Sequence, residues 1–196
     1  MFTGIVEEIG TIHRISEKDD IHQYRIQASS DFMSDVQIGA SISVNGICLT
    51  AYELQKDSFQ VDVSNETQKC TSFGQIIREN KVNLERAVTP TTRLGGHFVS
   101  GHVDGLGTLI KRDDNSNESV FWISCPAGLI KYIAAKGSIC INGVSLTVNE
   151  TKGDQHCLTI IPHTLKNTTL MFLQVQDLVN IEVDLIARYL EKLSQN

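Results

Sequence analysis

Six side chains in this sequence are of types that move protons or attack carbon: the thiol of Cys48, the imidazoles of His97 and His102, the hydroxyls of Ser145 and Thr147, and the carboxylate of Asp184. Imidazoles titrate near neutrality and serve as general acids and bases, whereas a thiol or hydroxyl beside a base can act as a nucleophile. Each of these residues also has a structural explanation. Cys48 in an apolar run can be a small buried hydrophobe, Ser145 and Thr147 can be strand residues bonded to backbone, and Asp184 can cap a helix. The stretch Gly95-Gly96-His97-Phe98-Val99-Ser100-Gly101-His102 is harder to explain that way, because its glycines permit close backbone approach. Its two histidines, five apart on an extended segment, point to opposite faces, so they do not predict a shared metal. With no Cys/His/carboxylate ligand spacing elsewhere, no metal site is expected.

The elements that position these groups come in duplicate. Gly4-Ile5-Val6-Glu7-Glu8-Ile9-Gly10-Thr11 matches Gly101-His102-Val103-Asp104-Gly105-Leu106-Gly107-Thr108, Asn45-Gly46-Ile47-Cys48-Leu49-Thr50 matches Asn142-Gly143-Val144-Ser145-Leu146-Thr147, and Val82-Asn83-Leu84-Glu85 matches Val179-Asn180-Ile181-Glu182, all 97 positions apart. Three blocks at one offset indicate a tandem repeat. The expected organisation is an N-terminal domain at 1–88, a linker at 89–97, a C-terminal domain at 98–184 and a terminal helix at 185–196.

Within each half the apolar runs are short, β-branched and alternating. Residues 41–44, 59–63 and 158–161 read as strands, and Asn45-Gly46 and Asn142-Gly143 as tight hairpin turns. Half a dozen short strands in under 100 residues suit a small closed barrel, which leaves no exposed edges. A helix is predicted over 127–136 and a shorter counterpart near 31–36. In the last segment Leu185, Ile186, Tyr189, Leu190 and Leu193 form one apolar stripe behind Asp184 as N-cap, and it is expected to pack between subunits.

A duplicated pocket suits two similar molecules or one pseudo-symmetric one, with the differences between the copies carrying the chemistry. At the 97-residue offset Cys48 aligns with Ser145, Ile5 with His102, Glu66 with His163, Gly39 with Lys136 and Ala87 with Asp184. The C-terminal pocket is therefore expected to hold a hydroxyl, imidazoles, an ammonium and a carboxylate, and the N-terminal one a thiol.

Composition narrows the partners. With 17 Lys+Arg against 23 Asp+Glu the formal charge is −6, and no basic cluster appears, so neither a phosphate-tracking surface nor a cationic stacking groove for nucleic acid is expected. Five cysteines without a CxxC pair read as reduced thiols. The opening residues lack a signal-peptide pattern and no window approaches the length of a membrane span, so a cytoplasmic protein is expected.

The opening Met1-Phe2-Thr3-Gly4-Ile5-Val6, the segment 95–103 and the paired Asn-Gly-x-Cys/Ser-Leu-Thr blocks resemble the riboflavin synthase family of the alpha-chain type over essentially the whole chain. The resemblance implies an all-β fold of two six-stranded Greek-key barrels plus a C-terminal helix, assembled as a homotrimer through that helix. The implied reaction is the dismutation of two molecules of 6,7-dimethyl-8-ribityllumazine: one gives a four-carbon unit to the other, yielding riboflavin and 5-amino-6-ribitylamino-uracil, with no cofactor. Each active site is implied to lie between the N-barrel of one subunit and the C-barrel of its neighbour, and association with lumazine synthase is a further partner to consider.

Carried over by position, the N-barrel ligand loops fall on Gly4, Ile5 and Val6, on Cys48, Leu49 and Thr50, and on Asp62, Val63, Ser64, Asn65, Glu66 and Thr67. The C-barrel loops fall on Gly101, His102 and Val103, on Lys136, on Ser145, Leu146 and Thr147, and on Ile160, Ile161, Pro162, His163 and Thr164. The family's functional residues fall on Phe2, Ser41, Cys48, His97, His102, Ser145, Thr147 and Asp184. From the asymmetry between the halves, the expected roles are proton transfer at the substrate methyl by His102 with Thr147, orientation or charge stabilisation of a polar partner by Asp184, and proximity of Ser145 and Cys48 to the reacting ring carbons. Thiol, serine hydroxyl, water and the ribityl hydroxyl all remain open as the nucleophile. The rival expectation is a non-catalytic lumazine- or flavin-binding antenna, disfavoured here because the histidine, serine and cysteine pattern is intact.

Overall fold

The computed structural model describes residues 1–18, 21–76 and 79–194. The first repeat forms β1 (Glu8–Lys18), β2 (Ile21–Gln27), β3 (Ser41–Val44), β4 (Ile47–Thr50), β5 (Tyr52–Gln55), β6 (Ser58–Ser64), α1 (Asn65–Cys70) and β7 (Lys81–Arg86). The second forms β8 (Gly105–Asp114), β9 (Ser119–Ser124), β10 (Ser138–Ile141), β11 (Val144–Lys152), β12 (Gln155–Ile160), α2 (Pro162–Lys166) and β13 (Leu178–Val183), and α3 (Leu185–Ser194) follows. All strand pairs are antiparallel. The second half closes as a six-stranded barrel in the order β10-β11-β12-β9-β8-β13, and the first runs β4-β3-β7-β1-β2-β6-β5.

The first half thus has seven strands where six were expected, because one ribbon is broken. The break follows Ala51, where Glu53 adopts a positive φ of 44°; Ala51 and its counterpart Val148 make the same backbone bonds, to residues 39–40 and 136–137, so it is the backbone at Glu53 that differs. The counterpart of the broken ribbon, β11, stays continuous and takes up the irregularity as a register shift between Val148 and Glu150. The short helices also differ from expectation. Residues 127–132 form a 3-10 turn rather than a helix to 136, residues 32–35 form its counterpart, and α1 and α2 lie where ligand loops were expected.

Alternation along the strands sends one face into each barrel, with Ile12, Tyr24, Ile26, Phe59 and Val61 in the first core and Leu109, Phe121, Ile123, Leu158 and Ile160 in the second. The two hairpin turns are of the mirror-image kind, with Asn45 at φ 48 and Gly46 at φ 81, repeated at Asn142 (φ 47) and Gly143 (φ 81). They meet head to head: a Cβ on Gly46 would lie 2.7 Å from Gly143 N.

Four asparagines lock this junction. Asn45 Oδ1 accepts from Asn83 N (2.8 Å), while Asn83 Nδ2 donates across to Asn142 O (2.8 Å) and Asn83 Oδ1 accepts from Thr169 N (2.7 Å). The repeat-related set is identical: Asn142 Oδ1 accepts from Asn180 N (2.7 Å), Asn180 Nδ2 donates to Asn45 O (2.8 Å), and Asn180 Oδ1 accepts from Ser72 N (2.8 Å). Asn83 and Asn180 are each 1% exposed, so these amides stand in for water at buried peptide groups.

The helix α3 is tethered to its own barrel by polar groups, with Arg188 on Asp104 (2.6 Å) and Glu191 bonded by Lys131 and Tyr132. Its apolar stripe is left uncovered, with Ile186, Tyr189, Leu190 and Leu193 at 56–69% exposure. Gln195 and Asn196, the end of the expected 185–196 segment, lie outside the described residues.

His156 shares the inward face of β12 with Leu158 and Ile160, is 0% exposed, and has no partner at either ring nitrogen among the described residues. Burial holds its pKa below the ordinary 6.5, against a smaller opposing pull from Asp154. The folded chain therefore keeps this imidazole neutral while the unfolded chain binds a proton, so stability is lost as pH falls through and below about 6.5. His156→Phe, which installs the side chain found at the equivalent Phe59, is expected to raise the thermal midpoint more at pH 5 than at pH 7.5; an equal shift at both values would show that the imidazole does not titrate with unfolding.

Candidate active site

The residues singled out from the sequence gather around two arms, 2–6 and 99–103, that are copies of one another. Phe2 and Val99 pair with each other, Phe2 N donating to Val99 O (2.7 Å) and Val99 N to Phe2 O (3.1 Å). Beyond this bridge each arm crosses to the other barrel. Gly4 O accepts from Ser145 N (2.7 Å) and Val6 packs on the C-terminal core. Gly101 O accepts from Cys48 N (2.8 Å) and Val103 packs on the N-terminal core. Both arm glycines are at positive φ, 74° and 81°, and a Cβ on either would come within 2.6 Å of Ser145 Cβ or Cys48 Cβ.

This crossing corrects the expected grouping. Gly4, Ile5 and Val6 do not line the Cys48 pocket; they lie with Ser145, Leu146 and Thr147. Gly101, His102 and Val103 lie with Cys48, Leu49 and Thr50. The imidazoles are divided accordingly rather than gathered in one pocket. His97 joins Ser145, whereas His102 sits on the Cys48 side and Thr147 on the Ser145 side, so the expected His102–Thr147 pair does not form within a chain.

Two buried carboxylates fix the arms. Glu85, 5% exposed, accepts from Thr3 N (2.6 Å), Thr3 Oγ1 (2.7 Å) and Gly4 N (2.9 Å). Glu182, 2% exposed, accepts from Ser100 N and Oγ (both 2.7 Å), Gly101 N (2.9 Å) and His102 N (3.1 Å). Burial raises the Glu85 carboxyl above the usual carboxylate range, and the donors from Thr3 and Gly4 pull it back. Neither residue was anticipated as functional; their signal was the repeated Val-Asn-x-Glu block.

The Ser145 half-site contains a directly bonded imidazole–hydroxyl pair of candidate groups. His97 Nδ1 and Ser145 Oγ lie 2.7 Å apart, and His97 N donates to Thr3 O (3.1 Å), so arm, linker and strand converge there. His97 is 8% exposed, its Nε2 has no partner among the described residues, and burial lowers its pKa against a weaker opposing pull from Asp184. A neutral imidazole on a serine hydroxyl is the arrangement of a base with a hydroxyl donor or nucleophile. Asp184 itself accepts from Ile186 N (2.9 Å) at the start of α3, so its capping role is real and its effect on His97 is through charge.

Cys48 is half-buried against the cluster of Phe2, Val99 and Cys140. Ser41 opens β3, its carbonyl accepting from Ala87 N (3.3 Å). Leu49, Val63, Leu146 and Ile160 turn their side chains into the cores, which leaves only their backbone for a ligand. Asp62 accepts from Tyr52 OH and Gln23 Nε2, Asn65 is bonded to His22 (3.0 Å), Glu66 accepts from Cys70 (3.2 Å), and Ser64 caps α1 at Thr67 N (3.1 Å). Pro162 begins α2, with His163 and Thr164 in its first turn. Lys136 is exposed at φ 68, its amide donating to Val148 O (2.7 Å). Ile5 on the arm that reaches Ser145, Phe98 just before the other arm, and Ile161 just before α2 stand 48–57% exposed. Both half-sites are thus open and partly apolar. Among the described residues no His/Cys/Asp/Glu group could hold a metal ion.

The family model of the lumazine binding domain matches the chain twice, over residues 3–87 and 100–184. Riboflavin synthase of Photobacterium leiognathi is 45% identical over 193 residues, covering 98% of this chain and 88% of that protein. The Bacillus subtilis riboflavin synthase is 42% identical (97% and 88% covered) and that of Saccharomyces cerevisiae 38% (98% and 85%). Among solved structures, LumP complexed with 6,7-dimethyl-8-(1'-D-ribityl) lumazine superposes with a TM-score of 0.85 at 29% identity, and LumP complexed with riboflavin with 0.87 at 30%; each covers 93% of this chain and 99% of the other.

The convergence at Ser145 leaves no room at Gly96, where a Cβ would lie 2.1 Å from Thr3 O and 2.7 Å from Ser145 Cβ. Gly96→Ala is expected to cost about 1–3 kcal/mol in denaturant unfolding. An unchanged midpoint would show that arm and linker yield freely.

Proposed function

The chain belongs to the riboflavin synthase family of tandem lumazine-binding-domain proteins, and we propose that it joins two molecules of 6,7-dimethyl-8-ribityllumazine at a site built from the Ser145 half-site of one subunit and the Cys48 half-site of a neighbour. The reaction is the family's four-carbon transfer, giving riboflavin and 5-amino-6-ribitylamino-uracil, and the enzyme is a transferase. The observation that carries this reading is the pairing of two like half-sites with unlike chemistry: a neutral His97–Ser145 pair in one and a thiol in the other. Identical substrates placed in them take different roles, one losing a proton and the other accepting a nucleophile.

The C7 methyl of the substrate is acidic because its carbanion delocalises into the electron-poor ring system, so a modest base suffices. The other molecule accepts a nucleophile at C7 before its four-carbon fragment moves. Holding the two rings together converts a bimolecular encounter into an effectively unimolecular step, worth up to about 7–11 kcal/mol. An intersubunit site also reunites His102 with Thr147 of the partner subunit, the pair that one chain keeps apart. The uncovered stripe of α3 and the exposed Ile5, Ile161 and Phe98 are the apolar surfaces such an assembly buries, and we propose a homotrimer joined through α3. Five unpaired cysteines suit a reducing compartment, and we place the protein in the cytoplasm.

Incubation of the purified protein with 6,7-dimethyl-8-ribityllumazine is expected to produce riboflavin, read by its absorption spectrum, without added metal or nucleotide. Recovery of bound, unconverted lumazine would replace the enzyme with a binding protein. Leu190→Glu is expected to yield a smaller species on sizing whose turnover drops at least tenfold while ligand binding persists; a fully active monomer would overturn the intersubunit site.

A further inference from the structure

We propose that Glu85 and Glu182 are positioning residues that act crosswise, each carboxylate of one barrel setting the half-site carried by the other. Glu85 lies near the end of a strand of the N-terminal barrel, but its donors are Thr3 and Gly4, whose carbonyls accept from His97 of the linker and from Ser145 of the C-terminal barrel. The path is short and continuous: Glu85 holds Thr3, Thr3 O receives His97 N (3.1 Å), His97 bonds Ser145 Oγ (2.7 Å), and Gly4 O receives Ser145 N (2.7 Å). Glu182 ends the equivalent strand of the C-terminal barrel and binds Ser100, Gly101 and the amide of His102, while Gly101 O receives Cys48 N (2.8 Å) in the N-terminal barrel.

The choice of a carboxylate follows from the donor count. Glu85 gathers three donors and Glu182 four, spread over both oxygens, and a carboxyl group offers two acceptor oxygens where an amide offers one. Among the described residues no cation is recorded on either group, and the recorded partners of these oxygens are N–H and O–H groups of the arms. A glutamine of the same shape turns an amide NH2 toward one set of donors and releases the arm at that point. Because, among the described residues, the side-chain hydrogen bonds of Glu182 all go to its arm, the loosening travels to Cys48 rather than to Ser145, and the reverse holds for Glu85.

Amide hydrogen exchange followed by mass spectrometry on the full-length protein tests this. In Glu182→Gln the segment 47–50 is expected to exchange about tenfold faster or more while 144–147 stays at the parent rate, and in Glu85→Gln the two segments trade places. Turnover of 6,7-dimethyl-8-ribityllumazine falls in both variants. Faster exchange confined to the mutated barrel's own strands, 81–86 or 178–183, would overturn the proposal, as would crossed loosening with unchanged turnover. Should a glutamine variant fail to fold, Thr3→Val and Ser100→Ala each remove a single hydroxyl donor and are expected to give the same crossed pattern more weakly; equal loosening of both segments would again overturn it. The turnover readout rests on the riboflavin synthase reading, whose own failure shows in the parent protein as absence of conversion, whereas the exchange pattern stands independently of it.

Discussion

Peptide groups buried at the junction of the two barrels find their hydrogen-bond partners in the opposite repeat, and both half-sites depend on this reciprocity. An unsatisfied buried N–H or C=O costs on the order of 1–3 kcal/mol. Asn83 and Asn180 each answer a carbonyl and an amide across the junction, and Glu85 and Glu182 each answer several amides of an arm. Moving one barrel away from the other would strand the groups the asparagines answer and pull each arm off either its glutamate or the strand it crosses to. The barrels are therefore held in one mutual orientation by polar satisfaction, with little help from a shared apolar core: the cluster at the bridge comprises only Phe2, Val99 and Cys140, with Cys48 and Ala87 against it.

On this nearly symmetric frame the chemistry is asymmetric at a few positions. Turn and arm are the same around Cys48 and Ser145; the environments differ in their side chains and in the ribbon beyond them, broken after Thr50 and continuous after Thr147. The linker adds His97 on the Ser145 side, where burial keeps it unprotonated near neutrality and the Ser145 hydroxyl engages it. Duplication followed by such local divergence lets one scaffold bind a substrate twice while treating the two copies differently.

The repeat, the strands at 41–44 and 59–63, the Asn-Gly turns and the barrels were legible because they follow from local pattern and from a constant offset. The crossing of the arms was not. Gly4 and Gly101 have the same spacing to Cys48 and Ser145 whether each arm stays home or crosses, so an offset cannot distinguish the two topologies. The division of His97 from His102 was hidden for the same reason. The block at Val82 and Val179 was visible as a repeat, but Asn and Glu at strand ends look like ordinary polar surface until the junction that buries them is seen. The helix expected to reach residue 136 stops as a 3-10 turn at Tyr132, because its apolar residues Leu129 and Ile133 anchor in the barrel rather than along a longer stripe. The α3 stripe was expected from its spacing to pack between subunits; on the single chain Ile186, Tyr189, Leu190 and Leu193 are exposed, and the intersubunit packing is part of the proposed assembly.

The bridge between Phe2 and Val99 joins two positions that are each other's counterparts, and so do the touching turns at Gly46 and Gly143. A line through both contacts maps each repeat onto the other. A polypeptide containing a solitary repeat would own an arm with nowhere of its own to lie and a groove awaiting someone else's. Its natural resting state is an embrace of two identical molecules, and the present chain is that embrace made permanent by a peptide bond, freeing each member to specialise.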